Sequence, residues 1–389
     1  MQFSFTDDQN MIRDSAREFM SERCGSQQLR HDLESAENFD PSLWQTITQE
    51  LGWAGLSLPE SVGGSGLGMV ELAIVLEEQG RCLYGGPLLA SVGLASAILL
   101  ECPQAEAREA VLARLASGEA TAALAITGDR GLAGLDAIDM TLHEEQGGLR
   151  LDGVASFVLN GHVADVFVVA AKDQRAGRSG YAVVAVDTTV SGLRVEKKLA
   201  MDTTRPYARL TFESVRDVVL LAADVDGRTI ERGVQVAQVA LAAEQLGAMQ
   251  AVLDLTTSYV SQRVQFGRVI GSFQAIKHRL ADMMVICEAA RSAVYYAACV
   301  VDEYRADPVT HAQELAEAAA LVKVHCSAGF HDVAGNAIQL HGGIGFTWEY
   351  DAQLFFKRAR ATYNLLGAPV VHREHIARLM GLDDDKEVA

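Results

Sequence analysis

The chain has 389 residues, too many for one ordinary hydrophobic core, so its length predicts two or three domains. Its net charge of −18 excludes the broadly basic surface that nucleic-acid binding requires, although it is compatible with a local basic site for an anionic cofactor. Apolar residues make up 49% of the chain, which is enough to fill sizeable cores.

The six cysteines form no C-x-x-C pair, and none lies at zinc-site spacing from a histidine pair. We therefore expect no metal site and a reduced, cytoplasmic protein. The first residues lack a basic stretch ahead of an apolar run, so no signal peptide is expected. The apolar run over residues 88–100 is too short to cross a bilayer, so no membrane span is expected.

Residues 1–120 are predicted to form an N-terminal helical domain. Thr6 is a good N-cap, and the acidic Asp7 and Asp8 follow it in the first turn, where the helix dipole favours anions. Asp40-Pro41 opens a second helix. The glycine-rich stretch over residues 57–68 lacks both the G-x-G-x-x-G spacing and a preceding strand, so we interpret it as a loop.

Residues 121–228 are predicted to form a β-barrel-like middle domain. Short runs rich in β-branched residues appear here, separated by turn residues such as Asn160-Gly161. The predicted strands cover residues 121–127, 149–159, 163–171, 181–187 and 208–219.

Residues 229–389 return to helical periodicity and predict a C-terminal four-helix bundle. Long helices are expected over residues 234–263, 276–301 and 314–341, with small residues at their seams. The whole chain is therefore predicted to be an α+β multidomain protein, in the order helical, sheet, helical.

Two of these long helices end in groups that suit a flat, anionic ligand such as a dinucleotide. Gln339 is followed by Gly342-Gly343, where a left-handed cap is expected at Gly342 and the lack of side chains allows close approach. Arg263 is followed by Phe266-Gly267, which supplies a cation, an aromatic ring and a glycine.

This combination resembles the acyl-CoA dehydrogenase family, in which R-x-x-F-G and Q-x-x-G-G-x-G lie on a helical bundle that follows a helical domain and a β module. The stretches at residues 5–9, 51–56 and 373–377 are also similar to the family, so the resemblance covers almost the whole chain. It implies flavin-dependent α,β-desaturation of an acyl-CoA thioester. It also implies FAD as the cofactor, and an electron-transfer flavoprotein as the electron acceptor.

The resemblance further implies a tetramer in which Arg263 contacts the pyrophosphate of a neighbouring subunit's FAD. The residues implied to bind the adenosine half of FAD are Phe266, Gln274, Gln339, Gly342 and Gly343. A second interpretation of Arg263 stays open, because a surface arginine at a helix C-terminus is favoured by the helix dipole alone.

The chain departs from the family at the catalytic base. In most members a glutamate in a Tyr-Glu-Gly-Thr-like segment removes the α-proton, but the corresponding segment here is residues 364–369, with Leu366 at the position of the base. A minority use a glutamate on the first bundle helix, where this chain has Ala237. Glu244 lies two helical turns further on, on nearly the same face, and is the candidate for a displaced base. A buried helical glutamate paired with another residue explains Glu244 equally well.

The β module departs from the family as well. The family's threonine that faces the reactive edge of the flavin is replaced by Leu159 in Phe157-Val158-Leu159, and a leucine side chain cannot hydrogen-bond a flavin. The residues implied to bind adenosine are thus retained, whereas those implied to bind the flavin ring are largely lost.

This one-sided retention resembles the base-lacking subunit of bacterial heteromeric acyl-CoA dehydrogenases, including the steroid side-chain type. The hypothesis is that the partner subunit supplies the catalytic glutamate. Two alternatives stay open: a self-sufficient homomeric enzyme that uses Glu244, and a non-catalytic structural or assembly subunit.

Overall fold

The computed structural model describes residues 4–145, 148–224 and 226–382. Its α-helices are α1 (Asp7–Arg23), α2 (Ser26–Glu34), α3 (Pro41–Gln45), α4 (Met69–Arg81), α5 (Ser96–Glu101), α6 (Glu106–Ala116), α7 (Arg228–Gln262), α8 (Gln274–Ala306), α9 (Pro308–His341), α10 (Ala352–Tyr363) and α11 (Pro369–Leu379). Its strands are β1 (Ala122–Ala125), β2 (Thr141–Glu145), β3 (Gly148–Leu159), β4 (Val166–Asp173), β5 (Tyr181–Asp187), β6 (Leu193–Lys198), β7 (Tyr207–Val215), β8 (Val219–Asp224), β9 (Val264–Gln265) and β10 (Arg268–Val269).

The predicted order of helical, sheet and helical segments is confirmed. The boundaries at residues 120/121 and 228/229 stay a prediction, and residues 1–3 and 383–389 of the outer domains lie outside the described residues. By internal packing the chain divides into two compact units. Unit 1 takes in Met1–Gln27, Ala73–Tyr84 and Leu241–Ala389, and unit 2 takes in Gln28–Leu72 and Gly85–Ala240.

Side-chain caps fix where the helices begin. The Thr6 hydroxyl accepts a hydrogen bond from the backbone N–H of Gln9, and the Gln9 side chain accepts one from the backbone N–H of Thr6, which forms a capping box for α1. Asp307 caps the start of α9 by accepting hydrogen bonds from two backbone N–H groups of its first turn, and Pro308 is at the first helical position.

The middle segment forms one sheet with the strand order β6-β7-β3-β2-β4-β5-β8, and β1 pairs with β4. The predicted strand over residues 208–219 is in fact two strands. Ser214 adopts φ 55° and donates its backbone N–H to Asp152 at 2.8 Å, after which β7 ends and β8 begins a separate pairing with β5. The sequence prediction missed β2 and β6, both of which carry several charged or exposed side chains.

Within unit 1, α8, α10 and α11 all pack on α9. The backbones of α4 and α7 come unusually close, because a Cβ atom added at Gly247 would lie 1.7 Å from the carbonyl oxygen of Glu77. Glycine is therefore required at this crossing, and the two helices are packed at backbone distance.

By length and composition, α7 and α8 are apolar enough to cross a membrane. The prediction of no membrane span considered residues 88–100 alone. The apolar window of α7 is 89% buried within the fold, as expected for a core helix, whereas that of α8 is only 39% buried. α8 therefore presents an apolar face that the described part of the chain leaves largely uncovered.

Candidate functional site

The R-x-x-F-G stretch forms a tight hairpin directly after α7. β9 pairs with β10 in antiparallel register, and the two residues between them, Phe266 and Gly267, have φ values of 53° and 77°. This is the two-residue primed turn that matches the twist of a hairpin. Glycine adopts such angles freely, but phenylalanine does so at a cost in backbone energy.

The strained residue carries an exposed aromatic ring. Phe266 is 91% exposed, and its ring meets the edge of Phe273 at a centroid distance of 6.2 Å. The guanidinium of Arg268 lies 3.9 Å from the centroid of Phe273 and so supports the inner ring. One face of Phe266 is left available for stacking against a flat ligand.

Arg263 is the first residue after α7 and its side chain is exposed. It makes no ion pair with a carboxylate in the described part of the chain, so its guanidinium is available to an anion. Gln274, the first residue of α8, is also exposed. The position of Arg263 fits both of the roles predicted for this residue, as a phosphate ligand and as a helix-end cation.

α9 ends at the two predicted glycines, and residues 342–346 form a short 3-10 turn. Gly342 has φ 63° and ψ −140°, so the expected left-handed α cap is corrected to a different conformation with positive φ, which only glycine adopts readily. A Cβ atom added at Gly342 or Gly343 would meet nothing within 4 Å. The backbone here is open to a ligand, and Gln339 in the preceding turn is exposed.

An aromatic cluster brings the two stretches together. Tyr259, one turn before Arg263, stacks on His341 with a centroid distance of 4.5 Å, and its hydroxyl donates to the His341 carbonyl at 3.4 Å. Because Nδ1 of His341 lies 2.7 Å from the carbonyl oxygen of Ala337, this nitrogen carries the proton. Burial lowers the pKa of His341 and keeps the imidazole neutral. The ends of α7 and α9 thus lie side by side, which motif spacing alone did not reveal.

These residues fit the phosphate and adenosine half of a dinucleotide. The arrangement offers an unpaired cation, an exposed ring and a backbone without side chains, all at the ends of α7 and α9. The individual roles of the six predicted residues stay predictions.

Glu244 lies in a buried ion pair. Its Oε1 accepts a hydrogen bond from Nη1 of Arg358 at 2.7 Å, and the two side chains are 2% and 1% exposed. Arg358 also donates to the carbonyl oxygen of Leu83 at 3.2 Å. This geometry is the one expected from the alternative interpretation of Glu244, a helical glutamate with a buried partner.

The segment that the resemblance aligns with the family's base, residues 364–369, begins as a tight turn between α10 and α11. Leu366 and Gly367 have φ values of 57° and 102°. His372 Nε2 lies 3.0 Å from the carbonyl oxygen of Leu366 and therefore donates to it. Burial lowers the pKa of His372, so the ring is neutral near pH 7.

In unit 2, Leu159, which the resemblance aligns with the flavin-facing threonine, lies inside the sheet. Leu159 is 3% exposed and pairs with Tyr207 inside the sheet. Phe157 lies at an irregularity of β3 with φ 57°, and its ring meets Tyr207 edge to face at 6.1 Å. Both positions carry apolar side chains, and their assignment to the flavin-ring side stays a prediction.

Among the described residues, one group of possible metal ligands comes together: Glu303, His311 and Glu314, whose ligand atoms lie within 4.8 Å of one another. The group lies on the surface where α8 meets α9. His311 already contacts Glu314 at 3.1 Å, and the Tyr296 hydroxyl donates to Glu314 at 2.9 Å. These contacts help to join α8 to α9 and explain why the side chains lie close together.

Comparisons with known proteins agree with this geometry. The model of the acyl-CoA dehydrogenase N-terminal domain matches residues 6–119, and that of the C-terminal domain matches residues 227–381. The acyl-CoA dehydrogenase IpdE2 of Mycobacterium tuberculosis is 33% identical over 373 residues, which is 96% of each chain.

Two solved structures extend the likeness. The ChsE4-ChsE5 complex from Mycobacterium tuberculosis is 26% identical with a TM-score of 0.87, and the match covers 98% of this chain and 100% of that one. A variant of the Tcur3481-Tcur3483 steroid ACAD is 27% identical with a TM-score of 0.85, and the match covers 97% of this chain and 98% of that one.

Proposed function

Because the chain belongs to the acyl-CoA dehydrogenase family, we propose that it takes part in the α,β-desaturation of an acyl-CoA thioester as one subunit of a heteromer. The partner subunit supplies the catalytic carboxylate. The observation that carries this proposal is that Leu366 occupies the position of the base while Glu244 is bound to Arg358 in the core. A leucine side chain cannot accept a proton, and the contact with Arg358 supports a structural role for Glu244.

The family consists of FAD-dependent oxidoreductases, and FAD is the cofactor of this protein. FAD supplies the acceptor for the hydride that leaves the β-carbon of the acyl chain. The residues of this chain that would hold it are Arg263, Phe266, Gln274, Gln339, Gly342 and Gly343. Arg263 offers a planar pair of donors to phosphate oxygens, and the Phe266 ring offers a stacking surface.

The contribution of this chain is therefore binding and orientation. A carboxylate in a dry pocket is needed to abstract the α-proton, and the residue that the resemblance aligns with this carboxylate is Leu366. The heteromeric relative ChsE4-ChsE5 and the steroid relative Tcur3481-Tcur3483 support a two-subunit assembly and a steroid-derived acyl-CoA as its substrate.

The proposed heteromer is a tetramer, which the apolar face of α8 supports, and a homotetramer is the assembly of the self-sufficient alternative. Met284 and Val285 are 58% and 67% exposed on this helix. We propose an electron-transfer flavoprotein as the acceptor. We also propose a cytoplasmic location, because none of the six cysteines, all of which lie within the described residues, forms a disulfide.

An anaerobic acyl-CoA titration tests the proposal, with flavin absorbance as the readout. The chain purified alone is expected to be colourless, or to be yellow without bleaching. The preparation co-expressed with a base-bearing partner is expected to be yellow and to bleach. One FAD per subunit and full bleaching in the chain alone would establish the self-sufficient enzyme instead.

Glu244→Gln separates the remaining alternatives. A self-sufficient enzyme that uses Glu244 loses its activity in this variant, in the fraction that remains folded. A heteromer keeps its activity per folded tetramer, because its base comes from the partner. A purely structural subunit shows no acyl-CoA binding in either form. Glu374→Gln, an exposed glutamate on α11, is the matched control.

A further inference from the structure

Six buried side chains join the end of α10 to α7 and α9. We call them the α10 frame: Glu244, Gln245, Lys323, Ser327, Arg358 and Thr362. Charged and polar groups are rarely buried to this extent unless they bond to one another. The hydrogen bonds of the frame show which part of the chain it holds.

The α7 side of the frame uses two consecutive residues. Glu244 binds Arg358 at 2.7 Å, and Gln245 Nε2 donates to the Thr362 hydroxyl at 3.0 Å. Arg358 and Thr362 are four residues apart and so lie on the same face of α10, one turn from each other. Two contacts a turn apart fix both the rotation of α10 and its position along its own axis.

The α9 side of the frame caps the C-terminal end of α10. Lys323 is fully buried, and its Nζ donates to the Ser327 hydroxyl at 2.8 Å and to the carbonyl oxygen of Tyr363 at 3.0 Å. Ser327 in turn donates to Gln245 at 3.2 Å, which links the two sides. Tyr363 is the last residue of α10, so Lys323 satisfies a carbonyl that the helix itself leaves open.

The turn that follows is held at a second carbonyl. His372, on α11, donates to the carbonyl oxygen of Leu366 at 3.0 Å. A Cβ atom added at Gly367 would lie 2.5 Å from His372 Nε2, so the ring is packed against the turn. The segment over residues 363–367 thus has fixed carbonyls at Tyr363 and Leu366, and its last two residues have positive φ.

We propose that Lys323, acting through the α10 frame, is a positioning residue that holds residues 364–368 in one conformation and fixes the apolar side chain of Leu366 at the place of the family's base. The importance of this segment for catalysis rests on the proposed function, whereas its anchoring rests on the frame alone. In the heteromer, residues 364–368 keep this one conformation and do not rearrange to supply a base.

Lys323 has no carboxylate among its hydrogen-bond partners, and burial lowers its pKa to about 7. The titratable groups near it are Cys326 on α9, whose pKa burial raises to about 12, and His372 on α11. Cys326 and His372 are both neutral near pH 7. A pH dependence in the anchoring of the turn therefore comes from the titration of Lys323.

Hydrogen exchange of the full chain, followed by mass spectrometry, tests the proposal. In Lys323→Met the amides of residues 364–368 are expected to exchange about tenfold faster than in the parent, while those in the middle of α9 change little. In the parent, protection of these amides rises from pH 7 to pH 9 relative to intrinsic exchange, and this rise disappears in the variant. Lys198→Met, at an exposed lysine on β6, is the control and leaves both readouts unchanged.

Unchanged exchange of residues 364–368 in a folded Lys323→Met protein would overturn the proposal, as would a pH profile identical to that of the parent. If Lys323→Met does not fold, Ser327→Ala replaces it, since this change removes one acceptor of Lys323 and the link to Gln245 but leaves the hydrogen bond from Lys323 to the Tyr363 carbonyl. Ser327→Ala is expected to raise exchange in the same segment by a few-fold, and no change there would overturn the proposal equally. The flavin titration is a separate experiment, so the two proposals fail independently.

Discussion

The two ends of the C-terminal helices differ in what they leave unsatisfied. At the ends of α7 and α9, the chain exposes a cation, a strained aromatic ring and an open glycine backbone. At the end of α10, cation, carboxylate, amide and hydroxyl groups are buried and bond to one another. The first region is organised for a molecule that arrives from outside. The second is organised to keep one conformation of the chain.

Breaking the buried ion pair gives the largest expected effect. Arg358→Met leaves the Glu244 carboxylate in the core without its guanidinium, and removing one partner of a buried pair costs about 3–5 kcal/mol. We expect the free energy of unfolding, measured by urea denaturation, to fall by this amount.

The double variant Glu244→Met with Arg358→Met supplies the control. Replacing both charges by apolar side chains of similar size is expected to recover most of the lost stability. A double variant as unstable as Arg358→Met would show that the packing of Arg358, rather than its charge, matters.

The pH dependence of stability isolates Lys323. Its pKa is about 7 in the folded chain, against an ordinary value of 10.5, so between these two values the unfolded chain binds a proton that the folded chain does not. Stability therefore rises with pH in this window, by about 2–3 kcal/mol from pH 7 to pH 9, and the full cost of the buried charge is present below pH 7.

Urea denaturation of the parent and of Lys323→Met at both pH values measures this term. The rise is expected to be smaller by about 2–3 kcal/mol in the variant. Equal rises in the two proteins would assign the pH dependence to other groups.

Arg263→Met tests the exposed region. Loss of a charged hydrogen bond to a phosphate costs about 1.5–3 kcal/mol, so FAD is expected to bind about tenfold to a hundredfold more weakly in the assembled tetramer. Flavin release during dilution, followed by fluorescence, measures the change. Arg378→Met, an exposed arginine on α11, is expected to retain the affinity of the parent.

Phe266→Asn gives the smallest effect, with opposite signs in two measurements. Asparagine tolerates the left-handed conformation better than phenylalanine, so the chain without flavin is expected to gain about 0.5–1 kcal/mol of stability. Loss of the ring is expected to weaken FAD binding by about 1 kcal/mol. A loss of stability in the chain without flavin would show that the ring contributes to packing against Phe273.

The sequence predicted the exposed region better than the buried one. Gly342 and Phe266-Gly267 mark a helix end and a turn because their meaning is local: backbone angles and helix stops depend on a few neighbouring residues. The helix starts at Thr6 and the long helices were predictable for the same reason.

The partners in the α10 frame could not be predicted in this way. Glu244 and Arg358 are separated by 114 residues, and helical periodicity gives the face of a side chain but not the helix that it meets. Lys323 carried no signal at all, since a lysine within a helix is usually exposed. The sequence therefore supports both a base and a buried partner as the role of Glu244, and only the packing of α7 against α10 reveals Arg358.

The exposed aromatic side chains of the C-terminal segment have a consequence for the solubility of the protein in the cell. Phe266 on the hairpin and, after α9, Phe346 and Trp348 are 91%, 74% and 53% exposed. Surfaces of this kind promote aggregation when nothing covers them. A newly made chain is therefore expected to depend on prompt assembly for its solubility. Its abundance is expected to follow that of the molecules that cover these aromatic side chains.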